Sequence, residues 1–189
     1  MSALVEHPTN LTWDEFLALP YETRNASLID GEVVVNSPNA QHERVVRNLL
    51  LVFAAWTRAA PGRGQASTQQ PVKITDRRGY QPDFAWYPQD RFITERDTWR
   101  FAGVPGLIVE VSSPSTRAYD LVRKRDDYEQ IGVDEVWFIE QDPSRYKVLA
   151  CQRIDGGAFT SRELKPGDQL TSPLLDGFSV DVAELFRGD

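Results

Sequence analysis

The chain has 189 residues, of which 41% are hydrophobic and 26% are charged, and its formal net charge is −7. This composition is typical of a globular protein and excludes a chain that is disordered throughout. At this length we expect a single domain, spanning residues 1–189, that folds without disulfide or metal cross-links. The one cysteine excludes an internal disulfide and a cysteine-rich zinc site, and it indicates a reducing compartment.

Neither a secretion signal nor a membrane span is visible in the sequence. The N-terminus lacks the basic and apolar regions of a signal peptide, and the most apolar stretch, residues 49–56, is too short to cross a bilayer. We therefore expect a cytoplasmic protein with no membrane partner. The negative charge argues against nucleic-acid binding over the whole surface, but it leaves room for a local basic face. Two candidate clusters, which also fit an ordinary solvated surface, contain Lys73, Arg77 and Arg78, and Arg117, Arg123, Lys124 and Arg125.

The first half of the chain contains patterns for a short helix, a hairpin and the longest helix. Thr12 and Glu15 form a capping-box pattern that starts the short helix, and Pro20 ends it. The Asp30-Gly31 pair predicts a turn between two short strands within residues 28–35. The long helix is expected at about residues 40–58. Its inward face carries His42, Val45, Val46, Leu49, Val52, Phe53 and Trp56.

The second half alternates strand-like and helical patterns. Apolar runs predict strands at residues 70–75, 82–87, 107–112 and 135–140, with further strands near 146–151 and 158–163. Helices are expected at about residues 116–130 and 182–186. This order predicts an α/β fold in which a central mixed β-sheet is flanked by helices, with antiparallel strand extensions at both ends.

Two carboxylates lie where strands otherwise read as buried. Asp83 follows Pro82 at the start of an apolar strand, and Glu110 lies within the run Leu-Ile-Val-Glu-Val. A carboxylate in a buried strand is costly unless something compensates its charge. Taken alone, Glu110 fits two interpretations equally well. It is either a structural glutamate with a hydrogen-bonded or ion-paired partner, or a metal ligand.

Lys124 favours a site that these acidic residues share. On its predicted helix, Leu121, Tyr128 and Ile131 define the inward face, and Lys124 projects between them. Its ammonium group therefore either extends back to solvent or reaches a buried anion. Two carboxylates on adjacent strands form an oxygen site suited to Mg²⁺, which keeps bound waters and accepts phosphate oxygens.

The chain resembles a known family through an ordered series of motifs. Pro82-Asp83 followed by Glu110-Val111-Ser112 is similar to the Pro-Asp…(Asp/Glu)-x-Lys signature of restriction-endonuclease-like nucleases. More specifically, nearly the whole chain resembles the small restriction endonucleases of the Uma family. The matching positions are residues 11–16, 28–32, 37–38, 81–83, 109–116 and 175–178, with His42, Asp120, Lys124, Tyr128, Leu185 and Phe186.

The resemblance implies a restriction-endonuclease-like core and metal-dependent hydrolysis of phosphodiester bonds in DNA. Asp83, Glu110 and the backbone carbonyl of Val111 would hold Mg²⁺, or Mn²⁺ as its substitute. Lys124 would orient the attacking water or stabilise the charge that develops on the phosphate. Analogy also suggests a homodimer, because cutting both strands of a duplex needs two sites related by a two-fold axis.

The sequence departs from the family pattern at two places. The lysine of the wider nuclease signature, two residues after Glu110, is replaced by Ser112, and the Uma-like pattern places it instead at Lys124. Ala26-Ser27 replaces the Tyr-Glu that usually precedes Leu-Ile-Asp-Gly in relatives. If that glutamate assists catalysis in the family, this chain has lost it.

Several residues are secondary candidates for the site or for substrate binding. His42 is either a core histidine, which we favour, or a metal ligand or base. Asp120 either holds the rotamer of Lys124 or forms an ordinary helical ion pair with it, and the second interpretation is favoured. The remaining candidates are Ser112, Glu32 and Glu43 at the site, and Arg117, Arg123, Lys73 and Arg78 for nucleic-acid binding.

Three classes of function compete on this evidence. The leading hypothesis is a Mg²⁺-dependent endodeoxyribonuclease, which the intact set of Asp83, Glu110 and Lys124 favours. The alternative is a catalytically silent nuclease-fold protein that binds nucleic acid or a protein partner, because folds outlive their functions. The net charge of −7 indicates weak or restricted DNA binding. A glycosidase that uses the two carboxylates as acid and base is disfavoured, because it leaves Lys124 without a role.

Overall fold

The computed structural model describes residues 9–19, 26–35, 37–68, 70–91, 93–94, 101–112 and 120–188. Its main feature is a six-stranded mixed sheet. In spatial order its strands are β12 (Phe159–Leu164), β11 (Lys147–Arg153), β10 (Glu135–Glu140), β9 (Leu107–Ser112), β6 (Phe84–Tyr87) and β3 (Gln65–Ser67). The central pair, β9 and β10, is parallel, and the other neighbouring strands of this sheet are antiparallel.

Smaller sheets and the helices complete the described fold. A four-stranded antiparallel sheet has the order β2 (Glu32–Val35), β1 (Ala26–Ile29), β5 (Arg78–Tyr80) and β4 (Val72–Thr75). Two hairpins pair β7 (Ile93–Thr94) with β8 (Phe101–Ala102), and β13 (Gln169–Thr171) with β14 (Ser179–Asp181). The helices are α1 (Trp13–Leu17), α2 (Ala40–Ala59), a π-helical turn (Asp120–Lys124) that continues into α3 (Arg125–Gln130), and α4 (Val182–Leu185). No helix in these ranges is both long and apolar enough to span a membrane.

Local sequence signals explain where several elements begin and end. The capping box at α1 is present, since Thr12 accepts from the backbone of Glu15 and the Glu15 carboxylate accepts from the backbone of Thr12. The turn between β1 and β2 has positive φ at both central residues, 53° at Asp30 and 88° at Gly31. This is the backbone that Asp-Gly favours in two-residue hairpins. Asn39 caps α2 by accepting from the backbone N–H of His42.

The observed strands differ from the predicted ones mainly where the strands are short. The strands predicted at residues 70–75 and 82–87 begin later, at Val72 and Phe84, and β3, β5 and the two hairpins were not predicted. Strands of two or three residues carry too little alternation to be recognised, and their pairing depends on neighbouring strands. The helix predicted at residues 116–130 is π-helical at residues 120–124, and residues 113–119 lie outside the described ranges.

The two faces of β9 pack against different helices, and this arrangement determines the geometry of the site. Val109 and Val111 belong to a buried cluster that includes Val45, Leu49 and Phe53 of α2. The alternate residue Ile108 belongs to a second cluster. This second cluster contains Tyr128 of α3 and Phe138 of β10. Because successive side chains of a strand point to opposite faces, Glu110 points away from α2 and toward α3.

Candidate active site

Asp83 lies just before β6, and its side chain is hydrogen-bonded to the neighbouring strand β9. Its Oδ2 accepts a hydrogen bond from the backbone N–H of Val111 at 2.7 Å. Phe84 pairs with Val109 in the antiparallel register, so Asp83 and Glu110 occupy the next position along the two strands. The sheet therefore brings together two acidic residues that are far apart in sequence.

His42 contacts the other oxygen of Asp83 from the α2 side. The His42 Nε2 atom lies 2.9 Å from Asp83 Oδ1, and His42 Nδ1 lies 3.5 Å from Oε1 of the exposed Glu43. Burial alone would lower the pKa of His42, but the hydrogen bond and negative charge of Asp83, with a smaller effect of Glu43, raise it above its ordinary value. The structure therefore places His42 at the candidate site as a contact of Asp83, which the core-residue interpretation did not include.

Glu110 is almost completely buried and its charge is compensated by two side chains. Lys124 donates from Nζ to Oε2 at 2.8 Å, and Tyr128 donates its hydroxyl to Oε1 at 2.5 Å. The side chain of Glu110 is 4% exposed and that of Lys124 is 11% exposed. Of the two alternatives for Lys124, the structure therefore places the ammonium on a buried anion.

The position of Lys124 depends on aromatic residues that pack around it. Lys124 ends the π-helical turn, and its Nζ lies 5.5 Å from the ring centroid of Tyr80 on β5. The rings of Tyr80 and Tyr128 meet edge to face, with centroids 5.6 Å apart. An aromatic face next to an ammonium group stabilises its charge. Lys124 and Tyr128 are one helical turn apart on the inward face of the predicted helix. This spacing was the sequence signal from which the contact between Tyr128 and Glu110 could have been predicted.

The side chains that contact the two carboxylates come from helices on opposite sides of the sheet. Asp83 is contacted by His42 of α2, whereas Glu110 is contacted by Lys124 and Tyr128 from the side of α3. Only Asp83 opens appreciably to solvent, with 21% of its side chain exposed. The geometry thus brings Glu110 and Lys124 into direct contact and places Asp83 on the adjacent strand position.

The donor set fits a hard divalent cation such as Mg²⁺. Within the described ranges, no group of three or more His, Cys, Asp and Glu side chains is arranged to hold a metal ion. The side-chain oxygen donors of the candidate site are the carboxylates of Asp83 and Glu110. The Val111 carbonyl adds a third, since the N–H and C=O of one strand residue point to the same side and the N–H bonds Asp83. Mg²⁺ is typically bound by one or two carboxylates and keeps several waters, so this set suits it.

The candidate nucleic-acid-binding cations take part in ion pairs. Arg78 donates to Asp30 at 2.5 Å and to the buried Asp127 of α3 at 3.0 Å, so it joins the four-stranded sheet to α3. Arg123 lies 3.1 Å from the same Asp30. Lys73, which is exposed, lies 3.2 Å from Asp76. These contacts give Arg78 a structural role, and binding of nucleic acid by Arg78, Arg123 and Lys73 stays a prediction.

The remaining candidates lie at the margin of the site or outside the described residues. Ser112 is buried on the face of β9 that also carries Glu110, and Glu32 is exposed at the start of the edge strand β2. Ser27, where relatives usually have glutamate, is buried, and its hydroxyl accepts from the backbone N–H of Gln81, two residues before Asp83. Arg117 and the side chain of Asp120 lie outside the part of the chain that the structure describes.

Comparisons with known proteins agree with the resemblance found in the motifs. A family model described as "Uma2: Putative restriction endonuclease" matches residues 13–183. No functionally curated protein matches the chain. One solved structure, that of a putative nuclease belonging to DUF820 from Anabaena variabilis ATCC 29413, is 18% identical, with a TM-score of 0.76 over 93% of this chain and 97% of that chain. At this identity the likeness shows the fold, and it confirms the predicted α/β class with a central mixed sheet.

Proposed function

Since the chain belongs to the Uma2 family of putative restriction endonucleases, we propose that it is a metal-dependent endonuclease acting on DNA. The family membership supports a nuclease; the metal and the deoxyribose substrate are the parts we propose here. The observation that carries the proposal is the buried pair of Lys124 and Glu110, with Asp83 at the neighbouring position on the adjacent strand of the central sheet. A cation held on a buried carboxylate beside a second carboxylate suits a phosphodiester, which brings negative charge into the site.

Asp83, Glu110 and the Val111 carbonyl are the residues that would hold Mg²⁺. When bound, the ion would lower the pKa of a coordinated water and offset the negative charge that develops on the phosphate. Hydrolysis adds one water across a P–O bond and yields a phosphate monoester and a hydroxyl group. The hydrogen bond from Val111 N–H fixes one oxygen of Asp83, His42 contacts the other, and the carboxylate stays partly exposed to solvent.

Lys124 supplies a positive charge that does not depend on the metal. Its Nζ is positioned by Glu110 and by the ring of Tyr80, so it needs little reorganisation to contact a phosphate oxygen or the attacking water. Tyr128 holds the other oxygen of Glu110 and thereby keeps the carboxylate in place. We assign Asp83, Glu110 and Lys124 as catalytic residues, and His42 and Tyr128 as residues that position them.

The proposal is tested by cleavage of supercoiled plasmid and of end-labelled single- and double-stranded DNA and RNA. We expect DNA cleavage with Mg²⁺ or Mn²⁺ and none in EDTA. Ca²⁺ should bind without supporting turnover, because it is larger and tolerates irregular coordination. Asp83→Asn and Lys124→Met, purified in parallel, control for contaminating nucleases.

Two results would contradict this assignment. Cleavage that continues undiminished in chelator would reject the metal requirement. Absence of both cleavage and stoichiometric Mg²⁺ or Mn²⁺ binding by calorimetry would favour the silent nuclease-fold alternative. A two-fold arrangement of sites, which we propose for cutting both strands of a duplex, is measured separately by light scattering of the protein with and without duplex DNA.

A further inference from the structure

A cavity lies next to the candidate site, beside the residues that follow Glu110 on the same face of the central strands. It has a volume of about 160 Å³ and is bordered by Ser112 of β9 and by Phe138 and Glu140 of β10. Phe138 pairs with Glu110 and Glu140 pairs with Ser112, so these side chains follow Glu110 on the same face of the sheet. At about 3.3 Å per residue, Ser112 is roughly 7 Å along the strand from Glu110.

The cavity combines apolar walls with charged groups at one side. Its apolar lining comes from Leu121, Phe138 and Leu149. Glu140 is almost completely buried, at 5% exposure, and Lys147 lies 4.0 Å from its Oε2 and 2.6 Å from the more exposed Glu163. An acceptor and a donor thus stand side by side against an aromatic and aliphatic surface.

The volume restricts the size of a ligand. A protein cavity of about 150 Å³ accommodates one benzene molecule, so the space here suits a single six-membered ring rather than the fused rings of a purine. Flat ring systems bind between aromatic and apolar side chains, as bases do when enzymes take them out of the stack. The cavity therefore fits a pyrimidine base.

The charged groups distinguish between the pyrimidines. Cytosine carries an exocyclic amine that donates to a carboxylate, and beside it a ring nitrogen and a carbonyl that accept from an ammonium group. Glu140 and Lys147 offer these two partners next to each other. Thymine and uracil can donate to a carboxylate only from the ring N–H that lies between their two carbonyl groups. One carbonyl oxygen then lies beside the Glu140 carboxylate, and two acceptors repel.

We propose that this cavity binds one unpaired cytosine of the nucleic-acid substrate and gives the protein a base preference. The proposal rests on the proposed nuclease function. A base enters this cavity only if the nucleic-acid strand runs past the neighbouring Glu110–Lys124 pair. A base bound in the cavity, roughly 7 Å along the strand from Glu110, keeps a flanking phosphodiester next to the Glu110–Lys124 pair. Glu140 and Lys147 are then specificity residues, distinct from Asp83, Glu110 and Lys124.

The test is equilibrium binding, measured without turnover. Fluorescence anisotropy compares labelled oligo-dC and oligo-dT of equal length in EDTA, at low salt and mildly alkaline pH. Homopolymers present the same base in every register, so the position of the cavity on the strand need not be known. We expect the wild type to bind oligo-dC about tenfold more tightly than oligo-dT, the scale of one well-placed base contact.

Two variants locate the preference in the cavity. Glu140→Gln adds an amide N–H that accommodates a thymine carbonyl, so the ratio of the two affinities should fall to about one. Leu149→Phe fills the space and should remove the preference by weakening oligo-dC binding alone. Glu184→Gln, the same change on α4, should keep the wild-type ratio. Circular dichroism and thermal unfolding verify that each variant is folded.

The outcomes separate this proposal from the proposed nuclease function. Equal affinities for the two oligonucleotides in the wild type, no binding of either, or a preference that survives both cavity variants would each overturn the cytosine site. A preference that both variants abolish supports it, even if no cleavage is found with any metal. Cleavage without base preference would leave the nuclease standing and reject the cavity.

Discussion

Lys124 and Glu110 form a buried ion pair between the π-helical turn and the central strand β9, with 2.8 Å between Nζ and Oε2. Each partner accounts for the burial of the other, because an isolated charge in this environment would carry a large desolvation cost. The hydroxyl of Tyr128 completes the set by donating to the second oxygen of Glu110. The candidate catalytic residues are therefore also part of what holds α3 against the sheet.

Replacing Lys124 with methionine tests both roles of this pair. Without the ammonium group, the buried carboxylate of Glu110 loses its positively charged partner, so we expect a loss of about 3–5 kcal/mol in the free energy of unfolding. Added Mg²⁺ should restore part of this loss, because a cation then neutralises Glu110. Cleavage by the folded variant should fall by a factor of about 10²–10³. Urea unfolding with and without Mg²⁺ and single-turnover cleavage measure the two effects.

Controls separate the ion pair from a general effect of removing a lysine. Lys165→Met removes an exposed lysine and should change neither quantity appreciably. The double variant Glu110→Gln with Lys124→Met should regain stability relative to Lys124→Met alone, because the unpaired buried charge is gone. Cleavage close to wild type in Lys124→Met would remove this lysine from the catalytic assignment and leave the carboxylates in place.

Asp83→Asn should abolish metal binding and cleavage while leaving the fold intact. The asparagine carbonyl oxygen can still accept from the Val111 N–H, so the link between β6 and β9 is preserved. The negative charge, which a Mg²⁺ ligand needs, is lost. Calorimetric titration with Mg²⁺ and thermal unfolding of the same preparation check this. Unchanged metal affinity in a folded Asp83→Asn protein would exclude Asp83 as a ligand.

The fold was predictable wherever one element carried its own signal. The capping box of Thr12 and Glu15, the Asp30-Gly31 turn and the long apolar face of α2 are each encoded within one continuous stretch of sequence, and the structure has each of them. The strands β3 and β5 were missed because three residues contain no recognisable period, and neighbouring strands determine their pairing.

One contact within the candidate site was predictable from the sequence, and the others were not. A charged residue inside an apolar strand and a lysine on the inward face of a helix both pointed to a buried pair, and Glu110 and Lys124 form one. The contact between His42 and Asp83 depends on how α2 lies across the sheet, which no local pattern determines. Arg78 was assigned to a surface cluster, but its partner Asp127 lies 49 residues away and draws it into an ion pair.

Tyr128→Phe tests whether this residue positions Glu110 or only packs beside it. The change removes the hydroxyl from Oε1 of Glu110 and keeps the ring that contacts Tyr80. We expect a loss of about 1–3 kcal/mol in stability, the cost of a buried acceptor that loses its donor. A positioning role predicts in addition that cleavage needs a higher Mg²⁺ concentration for half-maximal rate.

A matched variant distinguishes the two roles of Tyr128. Tyr80→Phe also removes a buried tyrosine hydroxyl that donates to a carboxylate, in this case Asp127, and it also keeps its ring. It should lose stability to a similar extent without changing the Mg²⁺ requirement. If the two variants shift the Mg²⁺ requirement equally, Tyr128 has no special effect on Glu110.

Glu135→Gln should make stability less dependent on pH. Glu135 is buried at the start of β10 and accepts from Trp137 Nε1 at 2.6 Å and from the Ser172 hydroxyl at 2.5 Å. Burial raises the pKa of Glu135 above its ordinary value, although both hydrogen bonds oppose the shift. The folded protein thus holds this proton more tightly than the unfolded chain, so the wild type loses stability as the pH rises from the ordinary glutamate pKa through the folded value. Glutamine does not ionise, and its amide can accept from Trp137 and donate to Ser172.

The stability advantage of Glu135→Gln over the wild type should therefore grow with pH through this window and then become constant. Urea unfolding at a series of pH values measures it, with Glu184→Gln as the same substitution at a much less buried site on α4. Above the folded pKa the wild-type carboxylate is ionised within the protein, so the difference between the two pH profiles is largest there. Parallel pH profiles for the wild type and Glu135→Gln would mean that the folded and unfolded chains bind this proton equally, contrary to the burial seen for Glu135.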